Sequence, residues 1–293
     1  SVDLLAAING SPTQGFGYTT LMTNNGKMVN RGVEITLSGE IIRQKDFSWN
    51  ASLLYAFNRN KVKHISVQPS LWDSRISMPT SYPMVGKPLY GIYAYKWAGL
   101  NENGDPQVYD AENNVTSGPA RDYHALVYCG TTVPIHNASL TNVLRYKGFE
   151  FSAMLILDAG HKLRSSNIPS INMSNGRITS TAKGIVDRWT QPGDVTDVPR
   201  LLFSNDTENF NTHRTELYRY SDLFVYDASN IRLSNISLAY RVPAHWCKKI
   251  SLSGARLQFN VENVATFAFD SKANYDLGGK VKPNYVWGLY LNF

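Results

Sequence analysis

The residue types able to carry covalent chemistry are present in this chain but dispersed. The six histidines, His64, His124, His136, His161, His213 and His245, include no two at a spacing that would set ring nitrogens around one metal ion. There is no G-x-S-x-G nucleophile turn and no phosphate-cradling glycine loop. Asp194 and Asp197 lie close together, but Pro192, Gly193 and Pro199 flank them, and turn-forming aspartates account for that pattern. The two cysteines, Cys129 and Cys247, are too few for a disulfide framework or a thiolate cluster. No catalytic residue, metal site or cofactor is expected, and an enzyme is not the expected class. Binding chemistry is carried instead by aromatics in expected loops: Trp72, Tyr82, Tyr90, Tyr93 and Trp189. An aromatic face stacks on the apolar face of a sugar, and an amphipathic ring suits a wet pocket. The competing reading is that Tyr90, Tyr93, Tyr95 and Trp97 pack a loop hairpin or form an interfacial girdle.

Such loops need a frame, and alternation supplies one. Over 28–43, Val33, Ile35, Leu37, Gly39 and Ile41 alternate with Glu34, Thr36, Ser38 and Glu40. Over 47–65, Phe47, Trp49, Ala51, Leu53, Tyr55 and Phe57 share one parity. Period two places each set on one face of a strand. The short polar connection Gln44-Lys45-Asp46 predicts a hairpin. A second hairpin is expected from Ile135–Tyr146 through Lys147-Gly148 into Phe149–Arg164. Three further strands are expected at Ser229–Arg241, Gly254–Thr266 and Pro283–Phe293. In the first of these, Ile231 and Leu233 have one parity and Ile236, Leu238 and Tyr240 the other, so a bulge is predicted near Ser234-Asn235. In the second, Ala255, Leu257, Phe259 and Val261 face opposite Arg256, Gln258, Asn260 and Glu262; the polar set would be costly in a dry core.

These strands are longer than the usual globular strand of about 5–6 residues, and long enough for the ~9–11 residues of a tilted membrane-crossing strand. Tight turns alternate with long connections at 8–27, 66–134, 165–228 and 267–282, as in transmembrane barrels. The 9–27 stretch reads as loop, Asp3-Leu4-Leu5 as the end of a strand, and the 66–134 connection as holding a hairpin of Tyr90–Trp97 with Gln107–Tyr109. This gives seven strands and one partial strand. The chain ends on Tyr285, Trp287, Leu289, Leu291 and Phe293 at alternate positions, with Gly288, Tyr290 and Asn292 between them. The first set is expected to face outward and the second inward.

Composition agrees. Of the 293 residues, 43% are hydrophobic and 12% aromatic, the profile of strands that meet lipid on one face and water on the other. The longest apolar runs fall short of the ~18 residues a membrane-spanning helix needs. The formal charge of +6 is dispersed, apart from small groups such as Lys61/Lys63 and Lys248/Lys249, and no basic stripe with interleaved aromatics points to nucleic acid. The chain opens on Ser1 with no leader, so it is expected to begin after processing or within a longer protein.

The wording of the strands resembles the C-terminal part of SusC/RagA-type TonB-dependent outer-membrane transporters. The matching stretches, in family order, are Asn30-Arg31-Gly32-Val33-Glu34-Ile35, Lys45-Asp46-Phe47-Ser48-Trp49, Asn58-Arg59-Asn60-Lys61-Val62, Gly91-Ile92-Tyr93-Ala94-Tyr95-Lys96-Trp97-Ala98-Gly99-Leu100, Asn103-Gly104-Asp105-Pro106, Arg188-Trp189-Thr190-Gln191-Pro192-Gly193-Asp194, Ile231–Tyr240 and the final aromatic strand. The resemblance implies an all-β antiparallel transmembrane segment over 1–293, about eight strands of a larger, 22-stranded barrel, with plug and earlier strands absent. It implies uptake of glycans or peptides with a SusD-like surface lipoprotein, energy delivered by TonB, and a Gram-negative, Bacteroidetes-like outer membrane around the barrel. It also implies that the barrel-assembly machinery reads Tyr285, Trp287, Leu289, Leu291 and Phe293. Relatives often carry a calcium-loop-like run after the position of Leu100; Asp110-Ala111-Glu112-Asn113-Asn114-Val115 is too poor in spaced carboxylates to serve. With that topology, Cys129 lies in an outer loop and Cys247 in a periplasmic turn, too far apart to pair. Two other readings remain: a complete small outer-membrane barrel acting as adhesin or anchor, and a soluble secreted carbohydrate-binding sandwich.

Overall fold

A computed structural model describes residues 2–9, 20–65, 74–118, 122–173, 182–203, 212–278 and 282–293. Its strands are β1 (Val2–Asn9), β2 (Thr20–Arg43), β3 (Phe47–Ile65), β4 (Gly91–Tyr95), β5 (Trp97–Leu100), β6 (Pro106–Tyr109), β7 (Val115–Thr116), β8 (Leu126–Thr131) and β9 (His136–Tyr146). There follow β10 (Phe149–Ala159), β11 (Lys162–Arg164), β12 (Asn172–Met173), β13 (Leu202–Phe203), β14 (Val225–Asp227), β15 (Asn230–Arg241), β16 (Gly254–Ala268) and β17 (Asn284–Asn292). Eight of them form one sheet in the order β1-β2-β3-β9-β10-β15-β16-β17. The sheet is open, since β1 and β17 stand at its two ends, so no closed barrel is formed. Among the described residues no helix is long and apolar enough to cross a membrane.

The chain divides into two compact units. One comprises 31–59, 134–161 and 227–293 and holds most of the large sheet. Its register is continuous. Phe47 lies opposite Tyr146, Tyr146 opposite Phe149, Phe149 opposite Tyr240, and Tyr240 opposite Leu257, which in turn lies opposite Leu289. Directly opposed residues share a face. One face therefore carries Trp49, Leu144, Phe151, Leu238, Phe259 and Trp287 in a single row across six strands. The other face carries Ser48, Arg145, Glu150, Ala239, Gln258 and Gly288.

The polar face is cross-linked. Arg145 and Arg256 donate to the two oxygens of Glu150, at 2.8 and 3.1 Å. Asn137 and Arg232 do the same for Asp158, at 2.7 and 3.1 Å. Two polar side chains on the apolar face are satisfied by neighbouring aromatics, as an apolar surrounding demands. Trp49 Nε1 donates to Asn142 Oδ1 at 3.1 Å, and the Tyr55 hydroxyl is hydrogen-bonded to His136 Nδ1 at 2.9 Å.

The predicted bulge is present. Met154 pairs with Asn235 and Leu155 with Leu233, which leaves Ser234 outside the ladder and keeps Ile231, Leu233, Ile236, Leu238 and Tyr240 on one face. The tight turns are also present. The Gln44 amide donates to the Phe47 carbonyl at 2.8 Å, and Lys147 takes a left-handed φ of 50° between Tyr146 and Phe149.

The sequence reading needs correction at four points. The 9–27 stretch is not all loop: β2 starts at Thr20, because Thr20–Met28 pairs with Asn9–Val2, and ladder pairing overrides a polar composition. The stretch read as a strand end, Asp3-Leu4-Leu5, lies within β1, and the large sheet has eight strands. The strand expected to run to Arg164 ends at Ala159, where Gly160 takes a φ of +78° and turns the chain; β11 pairs instead with β14. The expected loop hairpin is divided: β5 pairs with β6, whereas β4 pairs with β8. The fold is mostly rather than wholly β, with short helices such as Thr212–Arg219.

The second unit comprises 1–30, 60–133 and 162–226. Besides β1 and the start of β2 it holds small sheets packed on two buried clusters. Tyr93, Tyr95, Val108, Ala125, Leu126 and Leu217 form one. Ile171, Ile185, Tyr218 and Phe224 form the other, with Tyr218 edge-on to Phe224 at 4.9 Å. The large aliphatic and Phe side chains among them contribute roughly 1.5–3 kcal/mol each through burial.

The bulge generates a prediction. Deleting Ser234 should preserve assembly, because Ile236, Leu238 and Tyr240 stay on their face. Inserting one alanine after Ile236 should abolish it, because Leu238 and Tyr240 then swap faces. Protease resistance and heat-dependent gel migration of membrane fractions check both.

Candidate functional site

The second unit carries most of the expected loop aromatics, and the structure sorts them by exposure. Trp72 lies outside the described residues. Tyr90 is exposed, and its carbonyl accepts from the Thr132 amide at 2.9 Å. Tyr82 is half-buried, with its carbonyl accepting from Arg75 Nε at 3.4 Å. Tyr93 is only 1% exposed: its hydroxyl accepts from the Met84 amide at 3.1 Å and its ring lies 5.9 Å from both Arg75 and Tyr128. Burial pushes its phenol above the ordinary range. Tyr93 is a core residue, and so is Tyr95, as the packing alternative for this segment required. Arg75 brings Tyr82 and Tyr93 together; the contacts of Tyr90 and Trp189 are separate.

Trp189 is half-buried over Gly104, where an added Cβ would stand 2.4 Å from the indole; Gly104 also takes a φ of +75°. No other residue satisfies both the space and the backbone at position 104. The turn that follows Trp189 is fixed by Asp194, whose carboxylate accepts from the Thr190 amide and hydroxyl, both at 2.8 Å, and from the Gln191 amide at 3.1 Å. The backbone hydrogen bond from Thr190 is the main reason its carboxyl is held below the usual range. Asp197 accepts from Trp97 Nε1 at 2.9 Å. Asp194 therefore does what its proline- and glycine-rich surroundings indicated, whereas Asp197 holds an indole 100 residues away.

Next to Gly104 lies a charge cluster that sequence reasoning missed. Asp105 takes a bidentate contact from Arg200, at 3.1 and 2.7 Å, and a third hydrogen bond from Arg214 Nε at 3.1 Å. Arg214 is almost fully buried and donates also to the Ile171 carbonyl at 3.1 Å, to Asn172 Oδ1 at 2.5 Å and to the Arg200 carbonyl at 2.7 Å. One guanidinium thus ties four separate chain segments. The partners lie 95 and 109 residues from Asp105, a pairing that no local pattern signals. A half-buried guanidinium, Arg164, donates to the carbonyls of Tyr93 at 2.6 Å and Ser221 at 3.2 Å and lies over Tyr220.

Cys129 and Cys247 are both free. Burial pushes the Cys129 thiol up to about 11, which makes it a poor nucleophile. Among the described residues no group of three or more His, Cys, Asp or Glu could hold a metal. The arrangement offers shaped loop surface and fixed aromatics rather than a nucleophile or base.

Comparison with known proteins follows the same lines. No family model matches the chain. TonB-dependent receptor P3 of Formosa agariphila is 24% identical over 294 residues, which is 93% of this chain and 28% of that protein. TonB-dependent receptor SusC of Bacteroides thetaiotaomicron is 22% identical over 263 residues, 85% of this chain and 24% of that protein. In fold, the chain superposes on the structure of the RagAB peptide importer in its open-open state with a TM-score of 0.71 at 21% identity, over 99% of this chain and 31% of that one. The closed-closed state gives the same TM-score. The chain is a distant homologue of SusC/RagA-type TonB-dependent receptors, and it spans ~30% of their length.

Two predictions arise here. Replacing Arg214 by Ala takes one of its three hydrogen bonds from Asp105, which keeps its bidentate Arg200, and leaves the Ile171 and Arg200 carbonyls and Asn172 Oδ1 without this donor; it should destabilise this unit by about 1–3 kcal/mol, and faster proteolysis and amide exchange at 100–106 and 198–202 would show it. For Asp194 the folded carboxyl is depressed, so its stabilisation is present above the unfolded value of about 3.9 and is lost as pH falls through the folded one. Amide exchange at Thr190 and Gln191, corrected for intrinsic rates, should stay slow at pH 5 and quicken only below the ordinary carboxylate range.

Proposed function

We propose that this chain supplies part of the barrel wall and the outer loops of a TonB-dependent transporter in the outer membrane of a Gram-negative bacterium. The observation that carries the reading is the six-strand register that puts large apolar residues on one face and a hydrogen-bonded polar network on the other. A wall between lipid and a wet lumen needs that division. A soluble sandwich would cover the apolar face with a second sheet, yet Val33, Leu37, Leu257 and Trp287 are all more than half exposed. A complete small barrel would pair its first strand with its last, whereas this sheet is open. Homology to TonB-dependent receptors supports the same choice.

In this reading the remaining strands and the plug come from the rest of the polypeptide. A SusD-like lipoprotein and the TonB complex are its partners, and the substrate is a glycan or a peptide. Tyr90, Trp189, Tyr82 and Trp72 are the candidate substrate-facing aromatics, and Tyr93 acts by supporting them. The terminal residues Tyr285, Trp287, Leu289, Leu291 and Phe293 face lipid and serve as the barrel-assembly signal; Phe293 is 93% exposed and Trp287 79%. No residue performs covalent chemistry.

The test is uptake by cells that carry or lack the complete gene, with labelled oligosaccharides and labelled peptides offered separately. Uptake of one class should require the gene and stop when the proton-motive force is collapsed. Replacing Trp189 or Tyr90 by Ala should lower that uptake several-fold at unchanged receptor abundance. Recovery of the complete protein in plain buffer without detergent would overturn the membrane reading, and uptake insensitive to loss of the proton-motive force would overturn the TonB-dependent one.

A further inference from the structure

The outward face of β2 and β3 does not end in aromatics alone. Along β2 the apolar alternation Ile41, Gly39, Leu37, Ile35, Val33 is continued at the same parity by Arg31. Along β3 the alternation Trp49, Ala51, Leu53, Tyr55, Phe57 is continued by Arg59. Two contacts define how the strands meet. The Ser38 and Ser52 hydroxyls are hydrogen-bonded at 2.7 Å, and a Cβ on Gly32 would stand 3.5 Å from the Asn58 Cα. The same register sets Arg31 beside Arg59 on neighbouring strands.

Both arginines are exposed, and among the described residues neither has a carboxylate partner. Glu34, the nearest acid on β2, has the opposite parity. Like charges directly opposed on a sheet are destabilising, and among the described residues nothing in the sheet compensates them. The surroundings are amphiphilic. Val33, Ile35 and Leu37 are 57, 45 and 60% exposed, and Phe57 packs its ring 5.3 Å from His136, which is bonded to Tyr55. An aromatic row between an apolar band and a cation pair is the order of layers met on passing from acyl chains to headgroups. The guanidinium fork matches phosphate oxygens two at a time.

We propose that Arg31 and Arg59 together bind the phosphate of an anionic membrane lipid whose acyl chains lie along Val33, Ile35 and Phe57. This rests on the membrane-wall reading above and adds to it a headgroup chemistry and a position. The bound phosphate would cancel the repulsion between the two arginines and so stabilise the β2–β3 pair.

The experiment uses the complete receptor purified in a non-ionic detergent, with thermal unfolding followed by tryptophan fluorescence. Phosphatidylglycerol, phosphatidylcholine and inorganic phosphate are titrated separately. Phosphatidylglycerol should raise the midpoint, and the other two should not. The double variant Arg31→Gln, Arg59→Gln should bind phosphatidylglycerol roughly tenfold more weakly or worse, while Arg31→Lys, Arg59→Lys, which keeps both charges but loses the fork, should bind more weakly than wild type and more tightly than the Gln variant. An equal response of wild type and the Gln variant overturns the proposal. So does an equal response to phosphatidylcholine, which would mean apolar contact only, or to inorganic phosphate, which would mean a free-anion site. If the double Gln variant does not assemble, the single Arg59→Gln variant is read in the same way. All of these outcomes leave the transporter reading intact; that reading fails separately, if the wild-type receptor does not fractionate with the outer membrane.

Discussion

Backbone hydrogen bonding is the constraint on which this structure depends. Inside a bilayer no water reaches a strand, so each N–H and C=O needs a partner in the protein. Within the sheet every internal strand has two neighbours, but β1 and β17 have one each. Those two edges, beside an exposed apolar face, would invite aggregation in water. The proposed transporter resolves both at once: further strands take the edges, and lipid takes the face.

Given that constraint, the two faces can be specialised independently, because side chains alternate while the backbone ladder does not change. On one face Trp49 bonds Asn142 Oδ1 and Tyr55 bonds His136 Nδ1, so these polar exceptions find partners within the sheet. On the other, Glu150 and Asp158 each gather two donors and tie neighbouring strands together. The long insertions follow a different logic. They bury their own small cores, and they fix their course with charge, chiefly through Arg214 and Asp105. Removing Asp105 leaves the buried Arg214 guanidinium without a carboxylate, whereas removing Arg214 leaves Asp105 its bidentate Arg200, so the cluster is more sensitive at Asp105.

How much of this was legible in the sequence follows from the range of the forces involved. Alternation is a local property, so the wall strands, their tight turns and even the Ser234 bulge could be read directly. The polar start of β2 was misread because its strand character comes from pairing with β1, not from its own composition. Gly160 gave the only sign of the break after β10, and a single glycine in a strand is an ambiguous signal. The division of the expected loop hairpin into β4–β8 and β5–β6 depends on packing around Tyr93 and Val108. In the candidate site, the turn role of Asp194 was legible from its Pro-Gly neighbours. The burial of Tyr93 and the Asp105 cluster were not, since both join residues far apart in the chain.

The membrane reading requires the apolar face of the sheet to meet lipid. The most direct measurement places a nitroxide on single cysteines introduced in turn at residues 255–261 of the complete receptor, reconstituted in bilayers. Collision rates are then compared for oxygen, which partitions into lipid, and for a nickel chelate, which stays in water. Oxygen maxima are expected at 255, 257, 259 and 261 and chelate maxima at 256, 258 and 260. Oxygen maxima at the even positions, or no period of two, would contradict the membrane reading.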